Sequence, residues 1–409
     1  MRVLFITPDL KWPLSFGGNI RKWNILQGLL AAGPVDVLAC GADDLALSEK
    51  SYEGCDKVVQ IPSIYFNQTP RQKRLYDSTM GRGFLAVSNV VPYGFLWGNR
   101  VMARGLLRSS FRAEGYSLIW VETLRYGIAL DVPGFAGPVN TVLDGDDFAW
   151  VRDRDVLRAS PRYGAMIFNY LDSLKTWYWE TTCTKSYSRV IRCSVEDAQR
   201  QNASNVLVVP NGTVVPEYVR RSPEKKLVFV GVLWYEPNSV GVEWFLSNVW
   251  PSVLQQVPSA TFDIIGKGPS DKLLNANGKL GVAVHGYVDD IEPFYESAAL
   301  AVVPLQAGGG TRLKILESLG RGVPVVSTSI GAYGIPLGES QGLIRQDSAR
   351  GFAEACVNLL GSKADEAQRA ALKGREAVIE KFQWRTVQKT VAEIASTMSS
   401  ACGNGGSRV

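Results

Sequence analysis

Short, almost continuous apolar runs alternate along the chain with segments of helical spacing. In the first half the runs Val3–Thr7, Val35–Ala39, Lys57–Ile61, Leu118–Val121, Val139–Leu143, Val190–Cys193 and Val206–Val209 predict strands. Helices are predicted between them near Ile20–Ala32, Ala165–Ser186 and Val195–Gln201. A strand that is apolar on both faces belongs to a parallel sheet covered by helices on both sides.

The pattern then restarts. LVFVG (227–231), FDIIG (262–266), VAVHG (282–286), LAVVPL (300–305) and VPVVST (323–328) predict a second set of strands. The helix Asn238–Gln256 is read from Val242, Phe245, Leu246, Val249 and Val253, and Arg312–Leu319 and Ala349–Leu360 fill later gaps. After Leu360 the chain reads as helix, and the tail CGNGGSRV is expected to fray. The class is therefore α/β, with two doubly wound units and a linker near PNGTVVPEYVRRSPEK. Such units place ligands at the carboxyl ends of their strands.

Composition narrows the classes. A chain of 409 residues with 46% hydrophobic and 20% charged residues forms cores, which excludes a disordered protein or a coiled coil. No run is long enough for a transmembrane helix, and the apolar start of MRVLFITPDLKWP is too short for a signal peptide. Cys40, Cys55, Cys183, Cys193, Cys356 and Cys402 form no CxxC pair and suit free thiols, so a cytoplasmic location is expected. The single histidine, His285, leaves little for a histidine-based zinc site or a Ser-His-Asp triad.

Charge is unevenly spread. Residues 71–112 hold Arg71, Lys73, Arg74, Arg82, Arg100, Arg104, Arg108 and Arg112 against one acid, Asp77, in a chain of net charge +5. The same stretch contains FLAVSNVVPYGFLWG. It reads either as a solvated arginine face or as a peripheral contact with the anionic inner face of a membrane. Nucleic acid is not expected as a partner.

The sharpest segment is PLQAGGGTRLKILESLGRGVPVVST (304–328). A strand ends, three glycines follow, and a helix opens near Thr311 and Arg312. Glycines let backbone N–H groups approach an anion, and a helix N-terminus adds partial positive charge there. Arg312 and Lys314 in the first turn make sense if a diphosphate binds, and Glu317 is placed to accept hydroxyls of a ribose. Gly17–Gly18, after the first strand and before a helix with Arg21, read as a tight turn or as a second phosphate-facing glycine loop. Asp144–Gly145–Asp146 closes a strand with acids. Its readings are an acceptor-orienting pair, a turn or helix cap, or a metal-holding DxD.

Segment 304–328 resembles the signature of the family-4 (group 1) glycosyltransferases, which have the GT-B fold of two facing Rossmann-like domains. Glu317 and Gly322–Pro324–Val325–Val326–Thr328 match the second half of that family's signature. The first glutamate of the signature falls at Gly309 and is missing. FVGVLWYEPNSVGVEWF (229–245), IIGKGP (264–269) and HGYVDDIEPFYESAALAVVPL (285–305) extend the resemblance, which is strong over 205–385 and weaker over 1–204.

The resemblance implies an acceptor-side domain at 1–205, a donor domain at 206–383, and a C-terminal helix at 384–400 packing back on the first domain. It implies a retaining hexosyltransferase that moves a sugar from a nucleotide-diphosphate sugar to a glycan or lipid-linked hydroxyl, in polysaccharide or glycoconjugate synthesis. By the same resemblance Glu317 holds the ribose, Gly308, Gly309, Gly310 and Thr311 meet sugar and phosphates, and the turn at Gly286–Val288 meets the base. The family's Arg and Lys after the 229–231 strand fall near Val232 and Asn238, so Arg312, Lys314 and Lys267 are the candidate substitutes. The histidine that many members carry in the first domain is absent, and Asp144 or Asp146 is the candidate for its role. Glu180 matches a glutamate of this branch and reads as structural, as does His285. No metal or other cofactor is expected. A GT-B epimerase and a catalytically silent nucleotide-sugar binder are the rival readings.

Overall fold

In a computed structural model, residues 1–12, 14, 17–42, 49–65, 74, 78, 100–146, 148, 150, 166–217, 223–308 and 310–403 are described. Gly309, the run FLAVSNVVPYGFLWG and most of 71–99 lie outside the described residues. The chain divides into Met1–Pro210 with Val387–Val409, and Asn211–Thr386.

The first unit is a seven-stranded parallel sheet. Its strands are β1 (Val3–Pro8), β2 (Val35–Ala42), β3 (Lys57–Pro62), β4 (Leu118–Glu122), β5 (Asn140–Asp144), β6 (Arg189–Arg192) and β7 (Val206–Val208), in the order β3-β2-β1-β4-β5-β6-β7. β4 is buried at every position and β1 at all but the last, as the apolar runs predict. The strand order reverses between β1 and β4, so the carboxyl ends of β1, β4 and β5 are where this topology presents ligand-binding residues. Gly17 and Gly18 are the first two residues of the Gly17–Ala32 helix rather than a loop before it. The final helix, Trp384–Gly403, belongs to this unit from Val387 onward. Gly28 permits the contact: a Cβ there would lie 2.8 Å from both the Gln388 carbonyl and Val391 Cβ. Gln388 Nε2 donates to Asn24 Oδ1 at 2.7 Å.

The second unit is a six-stranded parallel sheet of β8 (Lys226–Val230), β9 (Thr261–Ile265), β10 (Val282–Gly286), β11 (Leu300–Val303), β12 (Val325–Ser327) and β13 (Leu343–Arg345). Its order is β10-β9-β8-β11-β12-β13. Phe245, Trp250, Phe262 and Phe352 pack ring on ring, with centroids between 5.1 and 6.3 Å apart. Such contacts add to what burial of the rings already contributes.

Three differences from the sequence reading have physical causes. The single helix expected over Asn238–Gln256 is two, Glu236–Asn248 and Trp250–Gln256. Pro251 lacks the N–H needed to continue the first helix and sits in the opening turn of the second. β13 is only three residues long and gains its identity from pairing with β12. The helices Leu124–Leu130 and Val132–Ala136 are too short to show a helical period, and Arg100–Ser110, which buries Ala103 and Leu107 one turn apart, lies in the stretch read for its charge.

Candidate functional site

In the second unit the chemistry gathers at the carboxyl ends of β8, β9, β10 and β11. After β11 the chain turns through Gly308 (φ 122°) and Gly310 (φ 75°), conformations that favour glycine. A Cβ at Gly308 would also stand 2.8 Å from the Arg312 guanidinium. Arg312 is the extended residue that caps the Leu313–Gly320 helix, and it donates to the Gly310 carbonyl at 2.8 Å. Thr311 is buried, and no acid occupies the first helical turn. The loop thus presents a helix N-terminus with no acid in its first turn.

Lys314 stands two residues into that helix. Its Nζ donates to Asn238 Oδ1 at 2.8 Å and lies 4.1 Å from the centre of the Phe229 ring. Asn238 is itself oriented by donating from Nδ2 to the Val232 carbonyl at 2.7 Å. The ammonium therefore lies against Asn238, whose amide reaches on to Val232. It arrives from a different element. Burial, and then the charge of Arg312, push Lys314 down to about 7.

Glu317 follows one turn later on the same face as Lys314. Burial raises its pKa, against the opposing charges of Arg321 and Lys314. No hydrogen bond contributes to that shift. Arg321 is occupied elsewhere: its Nε donates to both Glu292 oxygens at 3.1 and 3.0 Å, and its NH1 to the Glu317 backbone carbonyl at 3.1 Å. Glu317 itself is half-buried.

The loops after β8 and β9 are stitched together, because Lys267 O accepts from Leu233 N at 2.9 Å and Trp234 N at 3.2 Å. A Cβ at Gly266 would overlap the Gly231 carbonyl, which explains two glycines at this close approach. The Lys267 side chain is exposed, and Trp234 beside it is 63% exposed. Gly286 has φ 66° and ends β10, with Val288 half-buried two residues on. His285 pairs with Asp263 Oδ1 at 2.7 Å and packs edge-on against Phe294.

In the first unit the acids of the DxD divide. Asp144 is fully buried at the end of β5, and both its oxygens accept from Arg21 NH2 at 3.1 Å. Asp146 is 35% exposed in its side chain, has φ 51°, and lies 3.7 Å from Arg21 Nε. Glu122, in register with Asp144 on β4, is also buried. Burial and then the Asp144 charge hold its pKa well above the usual carboxylate range. Sequence reasoning missed Glu122; its signal was an acid closing an otherwise apolar strand.

The loop that follows β5 is held from its other side by Arg192. This buried arginine donates from Nε to Gln201 Oε1 at 2.7 Å, lies 3.7 Å from Glu180 Oε1, and stacks 4.5 Å from the Phe148 ring centre. Glu180 Oε2 accepts from the Trp150 N–H at 3.0 Å. Glu180 is thus buried in an ion pair that fixes the backbone after Asp146. Arg192, at the end of a strand reading RVIR, was the visible sign that the sequence reading passed over.

Among the described residues no group of three or more His, Cys, Asp or Glu side chains is placed to hold a metal ion. No described helix is long and apolar enough to cross a membrane. In the described part of the basic stretch, Val101 and Met102 are exposed, while Arg104 donates to the Ala129 and Ile128 carbonyls at 2.9 and 3.1 Å.

Residues 224–362 match the family model "Glycosyl transferases group 1". An uncharacterised 44.6 kDa protein of the cps region of Klebsiella pneumoniae is 26% identical over 140 residues, covering 32% of this chain and 36% of that protein. The match thus spans about a third of that relative's length. Among solved structures, sucrose-phosphate synthase of Thermosynechococcus elongatus superposes with a TM-score of 0.70 at 16% identity, over 98% of this chain and 99% of that one. HepE of Anabaena, solved with UDP-glucose, gives a TM-score of 0.61 at 14% identity, over 97% and 100%. The fold is that of the GT-B proteins, two Rossmann-like units.

Proposed function

We infer, from the match of residues 224–362 to the group 1 glycosyltransferases, a glycosyltransferase that moves a sugar from a nucleotide-diphosphate donor to an acceptor hydroxyl. The observation that carries this reading is the Arg312–Lys314–Glu317 face. Two basic side chains stand at a glycine-flanked helix N-terminus, and one turn on stands a carboxylate whose pKa burial raises. A diphosphate answers the cations, and a ribose diol answers the carboxylate. Gly286 and Val288 take the base side of such a ligand, Gly308, Gly309, Gly310 and Thr311 the sugar and phosphates, and Lys267 offers a further cation.

The energetic task in the transfer is the charge that builds on the departing diphosphate. Arg312, Lys314 and the helix N-terminus stabilise that charge in place. We assign a retaining, front-face course in which the leaving phosphate takes the acceptor proton, so no strong protein base is required. Gly17 and Gly18 add a second helix N-terminus in the first unit. Asp146 is the acid we assign to orienting the acceptor hydroxyl, because it is the accessible member of the pair. Asp144, buried against Arg21, anchors the loop that carries it. The acceptor class is a glycan or lipid-linked glycan, with a role in surface polysaccharide assembly. The relative's place in a cps region supports this.

The test is a thermal shift with UDP, GDP, ADP, CMP and dTDP on the native chain and on Glu317→Ala. A ligand at about 100 times its dissociation constant stabilises by roughly 2.7 kcal/mol. One nucleoside diphosphate is expected to raise the melting temperature, and Glu317→Ala to abolish most of the rise. Turnover of the matching sugar nucleotide then decides the class. A glycoside product supports the transferase, a free epimer replaces it with an isomerase, and binding without turnover leaves a silent binder. The basic stretch 71–112 is assigned a peripheral contact with anionic lipid. Flotation with anionic vesicles should recover the chain at low salt and lose it at high salt. No recovery at either salt removes that contact.

A further inference from the structure

We propose that diphosphate binding at this face is proton-linked: Lys314, held by a single neutral amide acceptor and closed in by the Phe229 ring and the Gly231 backbone, takes up a proton when the diphosphate arrives. This rests on the reading of the same face as a nucleotide-diphosphate site. It adds how the charge at that face is set.

The argument starts from what surrounds the amine. An ammonium has three N–H bonds to satisfy. Lys314 has one oriented acceptor, Asn238 Oδ1 at 2.8 Å, and that oxygen belongs to a neutral amide. A second side is covered by the Phe229 ring, at 4.1 Å. A third is closed by the Gly231 backbone, where a Cβ would stand 2.6 Å from Nζ. None of these three neighbours carries a full negative charge. The charged groups that act on the amine come from its own helix and cap: Arg312, which opposes a second positive charge, and Glu317, which favours it. Glu317 is itself biased by burial toward its neutral form. The ring face and Glu317 favour the ammonium, while burial and Arg312 oppose it, and the opposing pair prevails.

A diphosphate reverses this balance. Its negative charges cancel the repulsion from Arg312 and supply the missing acceptors for the remaining N–H bonds. The bound state therefore holds a proton that the free state does not hold fully. The proton comes from solvent, and no covalent bond changes. Affinity for the diphosphate falls as pH rises above about 7, by up to about tenfold per pH unit while the bound form stays protonated. A nucleoside without phosphates offers nothing to the amine, so its affinity stays flat over the same range. Selection for the diphosphate is strongest on the acid side of neutrality.

The test is calorimetry on the full chain with whichever of UDP, GDP, ADP or dTDP raises its melting temperature, and with the matching glucosyl nucleotide. Each titration is made near pH 6.5, 7.5 and 8.5, in buffers of low and high ionisation enthalpy. A free nucleoside diphosphate also titrates near neutrality, whereas the glucosyl nucleotide does not. The decisive quantity is therefore the uptake by the native chain less that by Lys314→Arg, which stays charged throughout. The expected result is net proton uptake at about pH 7.5 and above, absent in Lys314→Arg, with affinity that declines with pH only in the native chain. Lys314→Gln should bind weakly at every pH. Binding with equal uptake in the native chain and Lys314→Arg, or with affinity flat across the range, overturns the inference and leaves the site intact. No binding heat from any of the four at any pH overturns both the site and the inference.

Discussion

Each unit gathers charge at the carboxyl ends of its strands, but the two gatherings are balanced in opposite ways. In the first unit Arg21 is buried and closed on Asp144, with Glu122 and Asp146 adding further acid around it. In the second, Lys314 stands under the charge of Arg312, and the acid that acts on it, Glu317, is held toward its neutral form. A buried pair that satisfies itself does structural work and binds nothing in addition. A lysine whose one side-chain acceptor is a neutral amide has no such closed partner. Burial alone does not distinguish the two, since charged side chains are sheltered in both; the charge of the partner does, a carboxylate for Arg21 and a neutral amide for Lys314.

The largest expected effect breaks the closed pair. Arg21→Met leaves Asp144 buried and unpaired beside Glu122, and should cost about 3–5 kcal/mol of stability, seen as a lowered melting temperature of the ligand-free chain. The double variant Arg21→Met, Asp144→Leu should recover much of that loss; no recovery would show that Arg21 acts through other contacts.

In the open cluster the effect should fall on binding instead. Glu317→Ala should weaken nucleoside diphosphate binding by about 1.5–3 kcal/mol, the range for hydrogen bonds to a charged group, with the free chain no less stable. Calorimetry and melting together check this, and a lowered melting temperature without change in affinity would place Glu317 with the structural acids.

Lys314→Met sharpens the contrast through pH. An unfolded lysine stays charged until about pH 10.4. The folded one releases its proton near 7. The unfolded chain thus binds more protons between those values, so this group's penalty on stability is full below about pH 7 and fades toward pH 10. Lys314→Met should raise the melting temperature of the ligand-free chain most on the acid side of that window. A gain that grows toward alkaline pH would reverse the assignment.

Gly231→Ala is the smallest perturbation. The added methyl would sit 2.6 Å from Lys314 Nζ, at the mobile end of a flexible side chain. Stability should change by about 1 kcal/mol or less, the size of a glycine-to-alanine step. Nucleotide affinity should fall by more than that, as the ammonium is pushed from Asn238. Equal, small changes in both would mean that the amine's position is not critical.

Much of the fold was legible because buried parallel strands leave apolar runs that need no partner to be recognised. β1, β4 and β11 read directly as strands, and the restart of the pattern near residue 227 marked the second unit. β13 was not legible, since three residues LIR carry no period until β12 pairs with them. The Gly-Gly-Gly-Thr-Arg-Leu-Lys-Ile-Leu-Glu run was legible as a candidate site because its residues are neighbours in the chain. Glu122, Arg192 and the partner of Glu180 were not, because their roles depend on strands and helices meeting across tens of residues.

The amino-acid pattern by itself therefore determined the class of the fold, its division into two α/β units, and the glycine-flanked helix N-terminus of the candidate site. These follow from local periodicity and from groups carried on one short segment. Only the tertiary structure decided how charge is shared. It buried Asp144 against Arg21 while leaving Asp146 partly exposed, although the two acids are separated by a single glycine. It also brought Lys314 from one helix onto the Asn238 of another, over Phe229. The physical reason is that solvation and Coulomb energy depend on what surrounds a group in space, and one residue's surroundings are contributed by segments the chain separates widely.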